Sequence, residues 1–253
     1  MSERPTPGED RTQDALLGGR VRLVQLAGGY RVAIDPVLLA ASVPARAGEQ
    51  VLDVGAGVGA AALCLARRIE GCRVAGLEHQ RTLVRLANDN AALNGLAERV
   101  AVMEGDLLRP PPRLAPGSFD HVMTNPPYLD PARDMPSPEP SKTASTVEGA
   151  VQLPAWIAFC LAMVRDKGSV TVIHRADRLD ALLSAFHRKA GEIVVCPLWP
   201  MPDGRPARRV IVRARKGVEA PTRLAAGFVV HRPDGSYAEA IDAVLRRGAA
   251  LEI

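Results

Sequence analysis

Apolar positions along this chain fall into short continuous runs that alternate with stretches of helical spacing. Residues 51–55 (VLDVG) are a short apolar run ending in glycine, which predicts a buried strand. Residues 61–69 (AALCLARRI) place apolar side chains at helical intervals. The alternation repeats with a strand over 72–78 (CRVAGLE) and a helix over 81–93 (RTLVRLANDNAAL), which Asn94-Gly95 should stop. Strands follow over 100–106 (VAVMEGD) and 119–125 (FDHVMTN), the latter cut off by Pro126-Pro127. A helix is predicted over 153–164, a strand over 169–175 and a helix over 177–190. Residues 192–200 and 207–216 are two strands joined by a Pro/Gly-rich turn with no helix between them, so they should be antiparallel. Seven strands in this order predict an α/β fold: a mostly parallel seven-stranded sheet with helices on both faces and an antiparallel edge hairpin.

The flanks read differently. Residues 1–15 are polar and predict a flexible tail. Residues 16–48 predict a hairpin turning at Gly28-Gly29 and a short helix, VLLAASV, capped by Asp35-Pro36. The β-α domain then occupies 49–217, and 218–253 form a small strand-turn-helix extension. Residues 129–149 are rich in Pro, Ser and charge and carry Lys142. They are too long for a plain connection, so they should be a functional loop over a substrate or a mobile one.

Composition narrows the class. At 253 residues the chain can bury a core without disulfides or metals. Its 47% hydrophobic and 24% charged content excludes wholesale disorder. No apolar run is long enough for a membrane span, and the N-terminus has no apolar leader. Cys64, Cys72, Cys160 and Cys196 form no C-x-x-C pair and have no His cluster beside them, which predicts thiols in a reducing cytoplasm and no metal site.

The first candidate site is Asp53-Val54-Gly55-Ala56-Gly57-Val58-Gly59, between a predicted strand and a predicted helix. Glycines there allow a sharp turn and close approach of a ligand. In such a sheet ligands bind at the carboxyl ends of the strands. Glu78 ends the next strand, where its carboxylate could accept from ribose hydroxyls, and Asp106 ends the third, within reach of an adenine amine. Gly55, Gly57 and Ala60 also satisfy the dinucleotide fingerprint, so the loop alone predicts only an adenosine-containing cofactor. Asp53 tilts the choice. A carboxylate there repels a pyrophosphate and attracts the ammonium and sulfonium of S-adenosylmethionine.

The sharpest signal is Asn125-Pro126-Pro127-Tyr128, closing the fourth strand of the domain. Methylating a planar nitrogen is hard because its lone pair is delocalised. Two oxygen acceptors that hold both N–H groups stabilise charge as the nitrogen pyramidalises. The Asn125 side-chain carbonyl is one candidate, and the Pro126 backbone carbonyl is the other, with the prolines holding the chain extended. Tyr128 offers a ring on which a planar substrate can stack.

Together, D-x-G-x-G-x-G, the strand-end acids Glu78 and Asp106, and Asn125–Tyr128 resemble the class I S-adenosylmethionine methyltransferases, in particular those acting on amino groups of adenine, guanine, cytosine or glutamine amide. GGYRVAIDPVLLAA (28–41), IHRADRL (173–179) and RVIVRARKG (209–217) extend the resemblance to the bacterial tRNA (valine) adenosine-N6 methyltransferase family. That resemblance implies a Rossmann-like fold, S-adenosylmethionine as cofactor, and structured RNA, specifically tRNA, as partner. Catalysis would fall to Asn125, Pro126, Pro127 and Tyr128. Cofactor binding would fall to Asp53, Gly55, Ala56, Gly57, Gly59, Glu78, Asp106 and Asn125.

Charge is uneven in a way that bears on the partner. Residues 165–216 hold twelve basic and five acidic side chains, a local +7 against −3 for the rest. Arg205, Arg208, Arg209 and Arg213 are the candidate nucleic-acid contacts, gripping phosphates without reading sequence. The competing reading is a charged edge strand that resists aggregation. Arg175 and Arg178 are weaker candidates, and His174 reads as a packed strand residue. Other functions stay open at this level: a protein glutamine-amide methyltransferase, an rRNA or DNA amino methyltransferase, a nicotinamide oxidoreductase, or a non-catalytic RNA-binding protein. About 50 residues precede the glycine loop and read partly as a hairpin, unlike the helical domain expected of the amide enzymes.

Overall fold

A computed structural model describes residues 11–28, 31–127 and 152–253. Tyr128 and the 129–149 segment with Lys142 lie outside the described residues. Strands β1 (Arg11–Leu16) and β2 (Val21–Leu26) form an antiparallel pair, followed by α1 (Asp35–Ser42). The main unit then runs β3 (Gln50–Val54), α2 (Ala60–Arg68), β4 (Arg73–Glu78), α3 (Arg81–Leu93), β5 (Val100–Glu104) and β6 (Phe119–Thr124). It continues with α4 (Leu153–Met163), β7 (Val164–Arg175), α5 (Leu179–Phe186), β8 (Ala190–Trp199) and β9 (Arg209–Lys216). Two two-residue strands, β10 (Arg223–Leu224) and β11 (Phe228–Val229), and α6 (Glu239–Arg247) close the chain.

The sheet has nine strands in the order β10-β8-β9-β7-β6-β3-β4-β5, with β11 also on β8. Its seven long strands are those expected, and β3 to β7 pair in parallel. Successive residues of a strand feed opposite layers, which is why the strands read as continuous apolar runs. Val51, Met123, Ile173 and Ile211 pack in the cluster with α1, α2, α3 and α6, whereas Leu52, Val122, Val172 and Val212 pack with α4 and α5.

Three expectations are corrected. The hairpin forms one strand earlier: β2 pairs with residues 11–16, all but the last in the expected tail, and the described residues 31–34 beyond Gly28 are not strand. The polar run RTQDAL alternates exposed and half-buried along a two-stranded ribbon, so it lacks the apolar content that marks a core strand. Second, β9 is no edge. It inserts between β7 and β8, antiparallel to both. Strands joined by a helix-free connection pair as predicted, but the connection does not specify which side of the returning strand stays free. Third, Asp35 is the first residue of α1 and not its cap; its Oδ2 accepts from Arg209 Nε at 2.8 Å.

The β1–β2 ribbon is fastened to the domain by asparagines of α3. Asn90 is fully buried; its Nδ2 donates to the carbonyls of Val24 (2.9 Å) and Val58 (3.0 Å), and its Oδ1 accepts from Val24 N–H (2.8 Å). Asn94 joins Arg22 in the same manner. Asn90→Ala leaves three backbone groups without their partner. Each such orphan costs roughly 1–3 kcal/mol, so the variant should unfold several degrees lower in a thermal melt.

Candidate active site at the carboxyl edge of the sheet

Sheet register places the two sequence signals side by side. Val54 and Thr124 are partners in the parallel β3–β6 pair. The glycine loop begins at the next residue of one strand and Asn125 is the next residue of the other. They leave the sheet about 4.8 Å apart, the spacing of neighbouring strands. Asn125 is half-buried, Pro126 buried and Pro127 half-buried.

The glycine loop is shaped by backbone need. Gly55, Gly57 and Gly59 all have positive φ (74°, 55° and 84°), a region that costs any residue with a Cβ. Gly55 and Ala56 donate to the Leu77 carbonyl at 2.8 and 3.1 Å, which ties the loop to β4. A Cβ at Gly55 would lie 2.9 Å from Cζ2 of Trp156, whereas a Cβ at Gly57 would meet nothing within 4 Å. The loop is therefore packed on one side and open at Gly57.

Glu78 ends β4 and closes on the loop. Its Oε2 accepts from Gly57 N–H at 3.0 Å and its Oε1 from Gln80 N–H at 2.9 Å, with His79 Nδ1 3.1 Å away. Burial works against its charge, but His79 and these two N–H groups outweigh it and hold the carboxyl below its ordinary value. The same hydrogen bond raises the pKa of His79. Asp106 lies two residues beyond β5, where its Oδ1 accepts from Leu108 N–H at 2.9 Å. That bond makes a local turn, and the carboxylate remains partly exposed.

Asp53 is the most perturbed acid. It is 2% exposed, and its Oδ2 is buried with no hydrogen-bond partner among the described residues. Burial pushes its carboxyl up to about 7, against a backbone N–H at Ala62 and with the Glu78 charge adding to the rise. A buried anion with an orphaned oxygen beside an open glycine loop suits a cationic ligand. The residues present thus fit S-adenosylmethionine.

Trp156 was not singled out in the sequence. It sits in the first turn of α4, and its Nε1–H donates to Thr124 Oγ1 at 2.8 Å, which in turn donates to the Val54 carbonyl at 2.8 Å. Nothing in its local pattern distinguishes it from a core residue of an apolar helix. Only its place in a chain with two tryptophans and few aromatics offered a signal.

The basic stretch divides in space. Arg165, Lys167, Arg188, Lys189, Arg215 and Lys216 lie toward the edge of the sheet opposite the glycine loop, as the pairings Ser169–Arg215 and Ala190–Lys216 require. Arg175, Arg205, Arg208 and Arg209 lie toward the edge that carries Asn125. Two of the four arginine candidates are committed inward. Arg209 pairs with Asp35, and Arg213 donates to the Ile253 carbonyl at 2.7 Å and that of Ser42 at 3.4 Å. Arg205 and Arg208 are exposed, Arg205 with Asp203 2.8 Å away. His174 is fully buried, its pKa pushed down to about 4 by burial and the nearby guanidinium groups of Arg178 and Arg209. That is a packed strand residue, as its pattern predicted.

The four cysteines are free and buried, with their thiols pushed up by burial. Among the described residues no cluster of His, Cys, Asp or Glu gathers as a metal site requires, and no helix is long and apolar enough to cross a membrane.

Residues 30–136 match the family model described as Methyltransferase small domain. A tRNA1(Val) (adenine(37)-N6)-methyltransferase of Aeromonas hydrophila is 26% identical over 210 residues, covering 83% of this chain and 86% of its own. A protein of the same name from Enterobacter sp. (strain 638) is 32% identical over 144 residues, 56% of this chain and 58% of its own. In fold, a predicted O-methyltransferase of Agrobacterium tumefaciens superposes with a TM-score of 0.73 at 24% identity, over 87% of this chain and 99% of that one. A SAM-dependent O-methyltransferase of Thermotoga maritima superposes with a TM-score of 0.52 at 19% identity, over 76% and 68%. Together these likenesses support an S-adenosylmethionine-dependent methyltransferase with a Rossmann-like fold, and the curated relatives carry the name of tRNA adenine-N6 enzymes.

Proposed function

We infer that the protein methylates N6 of an adenosine in tRNA. The observation that carries this reading is the Val54–Thr124 register, which sets Asn125-Pro126-Pro127 beside the glycine loop. The names of the curated relatives support the nucleoside and the tRNA.

Asp53, Gly55, Ala56, Gly57, Gly59, Glu78, Asp106 and Asn125 are the residues assigned to the cofactor. Bound there, S-adenosylmethionine supplies a methyl group on an electrophilic sulfonium. The open face at Gly57 admits the ligand, and the ionised Glu78 accepts from its ribose hydroxyls. Asp53 balances the ligand's positive charge in a buried setting where a carboxylate is otherwise costly. On the acceptor side, the Asn125 Oδ1 and the Pro126 carbonyl each accept one N–H of the adenine amine. They favour its pyramidal form and so expose its lone pair. Pro127 keeps the chain extended and Tyr128 is assigned to stack on the base. The amine is a very weak acid, so its proton leaves only after nitrogen has gained the methyl and become cationic.

Arg205 and Arg208 are the side chains assigned to RNA phosphates; Arg209 and Arg213 are left out because their guanidinium groups already serve the fold. Replacing both exposed arginines by Ala should weaken tRNA binding in filter assays. The slope of log affinity against log salt should fall by about 1 for each phosphate no longer neutralised. An unchanged slope would leave these residues as a solvated surface.

The reading is tested by incubating the protein with tritiated S-adenosylmethionine and separate pools of tRNA, rRNA, DNA and protein. Label in tRNA, recovered as N6-methyladenosine after digestion, is the expected result. Label confined to protein would replace it with a glutamine-amide reading.

A further inference from the structure

Trp156 is anchored where two strand ends meet. Its Nε1–H donates to Thr124 Oγ1 at 2.8 Å, and Thr124, fully buried, passes the bond to the Val54 carbonyl at 2.8 Å. Its ring edge packs on Gly55 so closely that a Cβ there would sit 2.9 Å from Cζ2 and 3.2 Å from Cη2. Val54 and Thr124 are register partners and are the last residues of β3 and β6. The residues after them are Gly55 and Asn125. One indole therefore touches the first residue of the cofactor loop and the strand end that carries the amine-holding asparagine.

We propose that Trp156 is a positioning residue for methyl transfer, a spacer that fixes Asn125 relative to the glycine loop. The inference rests on the function proposed above, which assigns cofactor and amine to these two segments. Its physical basis is that transfer between two bound groups depends steeply on their distance and alignment, so that a shift of about 1 Å can cost about 100-fold in rate. Beyond Val54 and Thr124 the two strands no longer pair with each other, and the loop's own backbone bonds run to β4 on the other side. The glycine loop in particular has no side chains at Gly55, Gly57 and Gly59 with which to pack. A half-buried ring anchored by a hydrogen bond to the buried Thr124 hydroxyl supplies a constraint between the two segments. It also explains why the first glycine faces packed atoms while Gly57 faces open space: Gly55 is the residue on which the spacer rests.

Trp156→Phe keeps a ring against Gly55 and removes the N–H. Thr124→Val keeps the shape of the partner and removes the hydroxyl. For wild type, both variants and the double variant, three quantities are measured. These are the dissociation constant for S-adenosylhomocysteine by calorimetry, the thermal unfolding midpoint, and the single-turnover transfer rate into whichever pool wild type labels. The expected pattern is a transfer rate about 10- to 100-fold lower in each single variant, with ligand affinity within about threefold of wild type and the fold retained. The double variant should be no worse than the poorer single one, since both remove the same bond. A transfer rate unchanged in folded Trp156→Phe would overturn the proposal. So would a loss of affinity equal to the loss of rate, or losses that multiply in the double variant. A readout independent of any acceptor is the Trp156 emission, isolated as the difference between wild type and Trp156→Phe because the only other tryptophan is Trp199. It should change on addition of S-adenosylhomocysteine, and an unchanged signal would place the ring away from the cofactor and overturn the spacer role. If wild type labels a pool other than tRNA, the substrate reading fails while the rate comparison in that pool still decides the role of Trp156.

Discussion

Asn125→Ala should lower the rate of methyl transfer by about 10²–10³-fold, far more than it weakens S-adenosylhomocysteine binding through the lost cofactor contact. The magnitude follows from the kind of interaction removed. An acceptor aimed at charge that develops only as the nitrogen pyramidalises contributes mainly in the transition state, and deleting one such group typically costs about 3–4 kcal/mol. Substrate binding has other sources, including phosphate contacts and stacking, so the substrate concentration for half-maximal rate should change far less than the rate itself. Asn125→Asp is the sharper comparison. It keeps size and an acceptor oxygen but adds a charge next to the cofactor loop. The test is single-turnover transfer with saturating cofactor, read beside calorimetric binding. Full activity in Asn125→Ala would remove the tetrapeptide from the chemistry.

The second large effect is expected at Asp53, where stability and ligand affinity should move in opposite directions. Its folded-state pKa of about 7 stands above the ordinary 3.8, so the folded protein binds this proton more tightly than the unfolded chain. A raised carboxyl costs nothing at pH below about 4. Between about 4 and 7 stability falls as pH rises, and above about 7 the full penalty is present. A rise from 3.8 to about 7 corresponds to roughly 4 kcal/mol. Asp53→Asn should therefore raise the unfolding midpoint of the ligand-free protein at pH 8, with the difference shrinking toward pH 4. The same variant should bind S-adenosylmethionine about 10- to 100-fold more weakly at pH 8, because a cationic ligand loses its buried counter-charge. In wild type, affinity should weaken as pH drops through about 7 and Asp53 takes up its proton. Thermal melts and calorimetry at pH 5, 7 and 8 check all three statements. Unaltered affinity in Asp53→Asn would leave the carboxylate a brace for α2, whose Ala62 N–H it already faces.

Both predictions concern residues visible in the sequence, and the reason is local. Asn125-Pro126-Pro127 and the glycine loop are defined by what neighbouring residues do to one backbone: prolines stiffen it, and glycines allow positive φ at three alternate positions. The β-α order was legible for a similar reason, since burial on both faces writes an apolar run over each parallel strand. The hairpin was harder. Residues 11–16 pair along a thin ribbon whose hold on the domain comes from Asn90 and Asn94, more than sixty residues away. Polar side chains bonding distant backbone leave no periodic trace.

The sequence by itself determined the class of fold, the strand ends that carry Asp53, Glu78 and Asn125, and the resemblance to amino-group methyltransferases. The tertiary structure decided the relations between them. It put Gly55 and Asn125 side by side through one register pair and brought Trp156 against Gly55 and Thr124. It also sent ten of the twelve basic residues between 165 and 216 to two opposite edges of the sheet, and turned Arg209 and Arg213 inward. Periodicity and loop chemistry act within a few residues and can be read along the chain. Register, strand order and the partner of a buried polar atom depend on segments that meet only on folding, so their physical cause lies in no single stretch of sequence.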